Sequence, residues 1–279
     1  MTIVKDGEIL SDLGESGTDN EATVLRIKES VEYLVSNYCN RTFESTSYTR
    51  ERYNGNSNQI INLNQYPVTA LDRVCVGTRN AIEIKNTSSG TWASVGVSST
   101  GLRLNLNGTA DETVLFATYP TISTVITAIN ALGNGWSASV SSSDYNSFLS
   151  TDLVPQAAKG CIDSRVVYLT IPNEAEPDVG FDFDRGQIRL YQGFSRGFNN
   201  IFVDYTAGYT AATMPEDLKM AIKIIVQYLY GKLDQNLYGI DLYNIGASGS
   251  TGMRTVFEKG FIFPREAELI LSKYKRRLI

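Results

Sequence analysis

Asp204-Tyr205-Thr206-Ala207-Gly208-Tyr209, leading into Thr213-Met214-Pro215-Glu216, is the stretch on which the reading of the fold turns. Ile201 to Tyr205 has the composition of a strand. Gly208 then stands where a tight strand-to-helix turn needs a positive φ. Thr213 lies three residues before Glu216, the spacing of a capping box, and Pro215 suits a first helical turn. Beyond it Leu218, Ala221, Ile222, Ile225, Leu229 and Leu233 recur at helical spacing and predict one buried stripe.

Working outward, a second amphipathic helix is expected after a polar stretch at residues 7–20, with Thr18 and Glu21 as a capping box. Val24, Ile27, Val31, Leu34, Val35 and Tyr38 take one face; Arg26, Lys28, Glu29 and Glu32 take the other. Tyr48 to Val76 favours strands, and Tyr66-Pro67-Val68 should end or edge one, so a short hairpin is expected. A last helix begins near Pro264 and puts Ala267, Ile270, Leu271, Tyr274 and Leu278 on one side.

Between about Thr78 and Gly180 the character changes to short alternating runs rich in Ser, Thr, Gly and Asn. Strands are predicted at Ile82–Lys85, Leu102–Leu106, Thr113–Ala117, Trp136–Val140 and Val166–Ile171, with one helix over Ile122–Leu132. Two more, Phe181–Phe183 and Ile188–Tyr191, flank the turn Asp184-Arg185-Gly186-Gln187. The fold class is therefore α+β: a helical unit made of residues 1–78 and 180–279, interrupted by an inserted β-rich α+β domain at 79–179.

The 279 residues contain no histidine, which removes imidazole bases, His metal ligands and His pH switches. A net charge of -5 is the wrong sign for gripping a phosphate backbone. Cys39, Cys75 and Cys161 are odd in number and far apart, so they read as reduced, small apolar residues, with no disulfide framework or metal knuckle. Lys5, Asp6 and Glu8 interrupt any apolar run of a secretory signal near the start. The uncharged run from Thr113 to Ser143 is broken by Pro120, Gly133 and Gly135, so it is no membrane span.

Candidate chemistry is thin. Glu174, Glu176, Asp178, Asp182 and Asp184 form the densest carboxylate group and could in principle run glycoside hydrolysis or hold calcium. Asp182 and Asp184 alternate with Phe181 and Phe183, however, as on the wet face of a half-buried strand. Gly246 to Gly252 lacks the Lys-Ser/Thr of a phosphate loop, since Met253 and Arg254 follow, and reads as a linker. Neither a catalytic residue nor a metal or cofactor requirement can be nominated.

Three stretches resemble the head-tail connector (adaptor) proteins of tailed bacteriophages. They are Tyr38-Cys39-Asn40-Arg41-Thr42-Phe43, Tyr66-Pro67-Val68-Thr69-Ala70-Leu71-Asp72-Arg73-Val74, and the Asp204 to Tyr209 run that leads to the Pro215 helix. The similarity covers roughly residues 20–76 and 186–279; the insert is a departure from a minimal connector. The resemblance implies a structural virion subunit, no enzyme, assembled as a ring of twelve under the portal and joining capsid to tail or stopper proteins. DNA would pass through without specific binding, which suits an acidic conduit.

On this reading the C-terminal segment docks on the portal or a neighbouring subunit. Phe261 and Phe263 would supply an apolar anchor, Ile270, Leu271 and Tyr274 a helix face, and Lys273, Lys275, Arg276 and Arg277 a basic end. Packing of the same helix on the Pro215 helix of its own chain is the competing arrangement. A second functional class is a decoration or adhesion module whose insert binds carbohydrate or a capsid protein, with Trp92 and Trp136 as stacking platforms, which would have to be exposed.

Overall fold

The computed structural model describes residues 3–88, 92–107, 109–161, 165–234, 242–245, 253–256 and 263–276. Among the described residues five α-helices, α1 (Asp6–Leu13), α2 (Glu21–Cys39), α3 (Ile122–Ala131), α4 (Glu216–Asp234) and α5 (Arg265–Leu271), combine with small antiparallel sheets in a mixed α+β fold.

Helices α1, α2, α4 and α5 enclose one core. Val24, Val31, Val35 and Cys39 of α2 meet Leu218, Ala221, Ile222, Ile225 and Val226 of α4, and Phe263, Ala267 and Leu271 close the group from the C-terminal side. The two predicted stripes therefore face each other. Leu34 and Leu233 lie at their margins and are exposed. Neither expected capping box forms as drawn: α2 starts behind Asn20, Glu21 accepts from Gly17 N at 3.1 Å, and the Thr213 hydroxyl accepts from Thr210 N at 2.9 Å. Helix α1 falls largely within the polar stretch at 7–20, for which no element is predicted; Ile9 and Leu10 bury its inner side and Gly14, at φ 72°, ends it.

The polar face predicted for α2 needs a correction. Lys28 and Glu32 are buried, because the chain before α1 folds over them. Glu32 Oε1 accepts hydrogen bonds from Ile3 N at 2.8 Å and Val4 N at 2.9 Å. Lys28 Nζ contacts Asp6 Oδ1 and lies 3.8 Å from Glu32 Oε1. A buried cation beside a buried anion, with backbone donors on the anion, meets the condition under which charges tolerate the interior.

Under the helices lie two three-stranded sheets that share a core. The first has order β1 (Thr46–Gly55), β13 (Gly197–Ala207), β3 (Val68–Val76); the second has order β11 (Val179–Asp182), β12 (Gln187–Leu190), β2 (Ile60–Asn62). Val74, Ile201, Val203 and Tyr205 of the first face Ile61, Leu63, Ile188 and Leu190 at the second. The expected Tyr48–Val76 hairpin is thus not a hairpin. Strands β1 and β3 each pair with β13, which supplies both with an alternating apolar partner, while β2 leaves for the other sheet.

The chain between β3 and β11 builds its own apolar cluster, drawn from residues between Ala81 and Ile171. It contains a sheet of order β10 (Val167–Pro172), β4 (Thr78–Asn86), β8 (Trp136–Val140) and another of order β7 (Thr109–Leu115), β6 (Gly101–Leu106), β5 (Ala93–Val97), β9 (Gln156–Gly160). Helix α3 packs Ile122, Val125 and Ile129 into the cluster. Its N-terminus carries a capping box made by Thr121 and Thr124. Strands β5 and β9 went unpredicted because Ala93–Val97 and Gln156–Gly160 are short and small-residue rich. A two-stranded pair, β14 (Leu242–Ile245) with β15 (Met253–Val256), brackets Gly246 to Gly252, and that linker lies outside the described residues.

Candidate functional site

The three motif stretches, more than 130 residues apart at their extremes, meet at one junction between helices and sheet. Asn40 caps α2 in the left-handed conformation at φ 52°, which turns the chain so that Arg41 points back under it. Arg41 is buried, and its guanidinium carbon sits 4.0 Å from the Tyr66 ring centre, 4.9 Å from Phe43 and 5.9 Å from Tyr209. Arg41 Nη2 also donates to Tyr66 O. Three ring faces thus provide a negative surround for a cation whose Nε has no hydrogen-bond partner in the described residues.

The same junction holds the strand-to-helix turn. Tyr209 N donates to Phe43 O at 2.7 Å, Ser45 N to Tyr209 O at 2.9 Å, and Gly208 N to Pro67 O at 2.9 Å. Gly208 has φ 108°, and a Cβ there would come within 2.5 Å of Glu44 O. The expectation of a positive φ is met, and the reason is close backbone approach as well as conformation. The Tyr66–Pro67 peptide bond is cis.

A polar network ties the C-terminal segment to this junction. Tyr205 and Tyr53 both donate to Glu51 Oε2, the latter at 2.6 Å, and Asn64 Nδ2 donates to Glu51 Oε1 at 2.6 Å. Arg276 Nη2 donates to Asn64 Oδ1, and Arg276 N donates to Cys39 O at 2.9 Å. Burial and the neighbouring Glu51 carboxylate push both tyrosine hydroxyls well above their ordinary range. They therefore stay neutral donors.

The predicted docking residues divide into four groups. Phe263 and Leu271 are buried against α2 and α4, and Phe263 meets Tyr38 edge-on at 5.2 Å. Ile270 and Tyr274 are half-buried on the same core, and the Tyr274 hydroxyl donates to Asp217. These four hold the segment to its own chain, the arrangement that competes with docking: a short helix gains its stability from the surface it covers, and α2 and α4 provide one. Lys273 and Lys275 are exposed, with Lys275 Nζ 4.6 Å from the Tyr38 ring centre, and Arg276 is half-buried. Phe261 and Arg277 lie outside the described residues.

The exposed cations border an open groove of about 870 Å³, lined also by Asn54, Asn58, Asn62 and Arg185. Elsewhere the candidate chemistry disperses. Glu174 pairs with Arg79 at 2.8 Å and Asp182 accepts from Arg185 N at 3.1 Å, while Glu176 is half-buried and Asp178 and Asp184 are exposed. No group of metal-binding side chains occurs among the described residues. Trp136 is buried in the insert's core and Trp92 is 53% exposed, so the pair cannot form a two-ring stacking platform. The three cysteines are free and buried, and burial raises each thiol to about 11. None of the described helices is long and apolar enough to cross a membrane.

The motifs contain Arg41 and Tyr66 without revealing their contact; Glu51 is not signalled, and Glu32 reads as part of a solvated helix face although it is buried. An arginine next to aromatic residues in two separate motifs is the available signal for the first pair; a glutamate in a helix or strand offers none.

No protein-family model matches the chain, and no curated protein matches it. Among solved structures the chain is similar to a chain in the neck of an empty gene transfer agent (GTA) particle treated with C6 symmetry, at 11% identity and TM-score 0.40, covering 100% of this chain and 92% of that one. It is also similar to a chain of the virion of a native GTA particle, at 12% identity, TM-score 0.34 and coverages of 100% and 92%. A third similarity, to a chain in the neck of a native GTA particle treated with C12 symmetry, has 10% identity, TM-score 0.32 and coverages of 100% and 94%.

Proposed function

We propose that the chain is a structural, non-enzymatic subunit of the head-tail neck of a phage-like particle. It would act as an adaptor that forms a ring under the portal and joins the capsid to tail or stopper proteins. The observation that carries this reading is the junction. Three motifs that resemble connector proteins, far apart in sequence, converge on Arg41, Tyr66 and Gly208 and brace the helices against the sheet. A ring subunit transmits load from one face to another, and a braced junction suits that task.

In this arrangement the helical end faces the portal or a neighbouring copy, and residues 79–179 form a separate domain at the periphery. The C-terminal segment contributes its exposed side, Lys273, Lys275 and the Arg276 edge, since Phe263 and Leu271 are already used within the chain. Charges at such a rim steer docking more than they tighten it. DNA passes without specific binding, in keeping with a net charge of -5 per subunit.

Sedimentation of the purified protein with its portal tests the reading. The expected result is co-migration as one large species, weakened by Lys273→Glu with Lys275→Glu and by raised salt. Persistence as a monomer at every concentration, with and without portal, would count against it.

A further inference from the structure

A seam between the insert and the first sheet holds three arginines and only two carboxylates. Arg73 takes both: its Nε lies 2.8 Å from Asp204 Oδ2 and its Nη2 lies 3.2 Å from Asp152 Oδ1. The other Asp204 oxygen accepts from the backbone N of Arg50. Arg50 and Arg52 are left with no carboxylate partner among the described residues. The Arg52 guanidinium stands 5.8 Å from the Phe202 ring centre, and its pKa is lowered by burial and by the charge of Arg50, whereas that of Arg73 is raised by its two carboxylates.

The backbone aims Arg50 into this seam by an unusual route. Strand β1 slips register against β13 between Tyr48 and Glu51, a bulge, and Arg50 sits there at φ 54°. Glycine or asparagine holds that conformation at lower cost than arginine. The cleft has a volume of about 170 Å³ and is lined on the sheet side by Thr49, Arg50 and Arg52 and on the insert side by Ser99, Thr151 and Asp152. That is room for about five waters, more than a phosphate or sulfate ion needs, and Leu153, Pro155, Pro172 and Phe202 complete the lining. Arg73 is shared between Asp152 and Asp204, so with Arg50 and Arg52 the seam carries one net positive charge.

We propose that this cleft binds a small tetrahedral oxyanion of the phosphate type. Arg50 and Arg52 would hold it from the sheet, with the hydroxyls of Ser99 and Thr151 completing the shell from the insert, so that the bound ion couples the two parts. Guanidinium forks match phosphate oxygens, and hydroxyl donors fill the remaining acceptor sites. The inference is independent of ring formation.

Titration of the full-length protein with inorganic phosphate, followed by calorimetry and by thermal unfolding at constant ionic strength against chloride, tests it. Saturable binding in the millimolar range or tighter, with a rise in Tm, is expected. Arg52→Gln combined with Arg50→Asn should weaken binding at least tenfold. Asparagine keeps the left-handed backbone, so circular dichroism should match the wild type. Arg52→Lys should fall between, and Arg185→Gln, far from the cleft, should change nothing. Absence of saturable phosphate binding, or binding unaltered by the double variant, would overturn the proposal. So would arginine-dependent binding of an oligonucleotide without binding of inorganic phosphate, which would assign the site to a nucleic-acid backbone instead.

Discussion

The helical end and the insert are stabilised in different ways. The insert joins chain neighbours in one sheet, β5 with β6 and β6 with β7, and closes over longer range where β4 pairs with β8 and β10, and β5 pairs with β9. The polar side chains it buries, Asn86, Ser94 and Ser150, are uncharged, whereas the helical end buries Lys28, Glu32 and Arg41. The helical end is closed by partners remote in sequence, and many of its closures are polar: Glu32 with Ile3 and Val4, Arg41 with Tyr66, Arg276 with Asn64, Tyr230 with Glu15. The two parts are therefore vulnerable to different changes. An apolar cluster loses stability in proportion to the volume removed, whereas a polar closure that loses one partner leaves a buried group unsatisfied.

The largest effect expected from this contrast is on truncation. Deleting residues 263–279 takes Phe263, Ala267 and Leu271 out of the helical core and removes the Arg276 tie. A loss of about 5 kcal/mol or more is predicted, from the usual cost of emptying several buried apolar sites. Urea unfolding followed by circular dichroism at the helix band should show it, while fluorescence of Trp136, inside the insert, should report a nearly unchanged transition. Equal losses at both probes would mean that the two parts unfold as one.

Next comes Gly208→Ala. Its Cβ would meet Glu44 O, a backbone atom that cannot rotate away, and the residue would be held at φ 108°. About 3 kcal/mol of destabilisation is expected from strain and displacement together. An equivalent change at Gly133, whose added Cβ meets nothing within 4 Å, should cost only about 1 kcal/mol for its φ of 70°.

Glu32 gives a comparison in pH. Burial raises its folded pKa above the ordinary carboxylate value. Between the unfolded and the raised folded pKa the native state binds more protons, so stability falls as pH rises through that window and is level above it. Glu32→Gln keeps an acceptor for Ile3 N and Val4 N and should remove that slope. Glu32→Ala removes the acceptor and leaves Lys28 less well matched, a loss of about 2 kcal/mol. A flat wild-type profile from about pH 4 to 7 would contradict the assignment.

Arg73→Ala is expected to have the smallest effect on overall stability, about 1 kcal/mol, because the triad with Asp152 and Asp204 is partly exposed. Its value is in coupling. Calorimetry should show the transitions of the two parts drawing further apart than in the wild type.

The legible parts of the molecule were those where local pattern and burial coincide. The apolar spacing in α2 and α4, the α3 segment, and strands such as Trp136–Val140 could be read directly, because each buries one side of a regular element. The pairing of β1 and β3 with a strand more than 120 residues later could not, since the alternation of β13 does not say which strands flank it. Lys28 and Glu32 were misplaced for a related reason. Charged residues four apart look like a wet helix face until a remote segment covers them. Among the docking residues, helical spacing found the apolar face of α5, yet nothing local distinguishes a face turned toward a partner from one turned toward its own chain.

In the proposed neck ring the helical end assembles and the insert is peripheral. Cryo-electron microscopy of the full-length protein bound to the portal of its own particle tests this arrangement. The expected result is a closed ring with an axial channel, α2, α4 and the Lys273 edge toward the portal or the next copy, and residues 79–179 projecting outward. A complex without a ring, or a ring whose subunit contacts run through the insert, would contradict it.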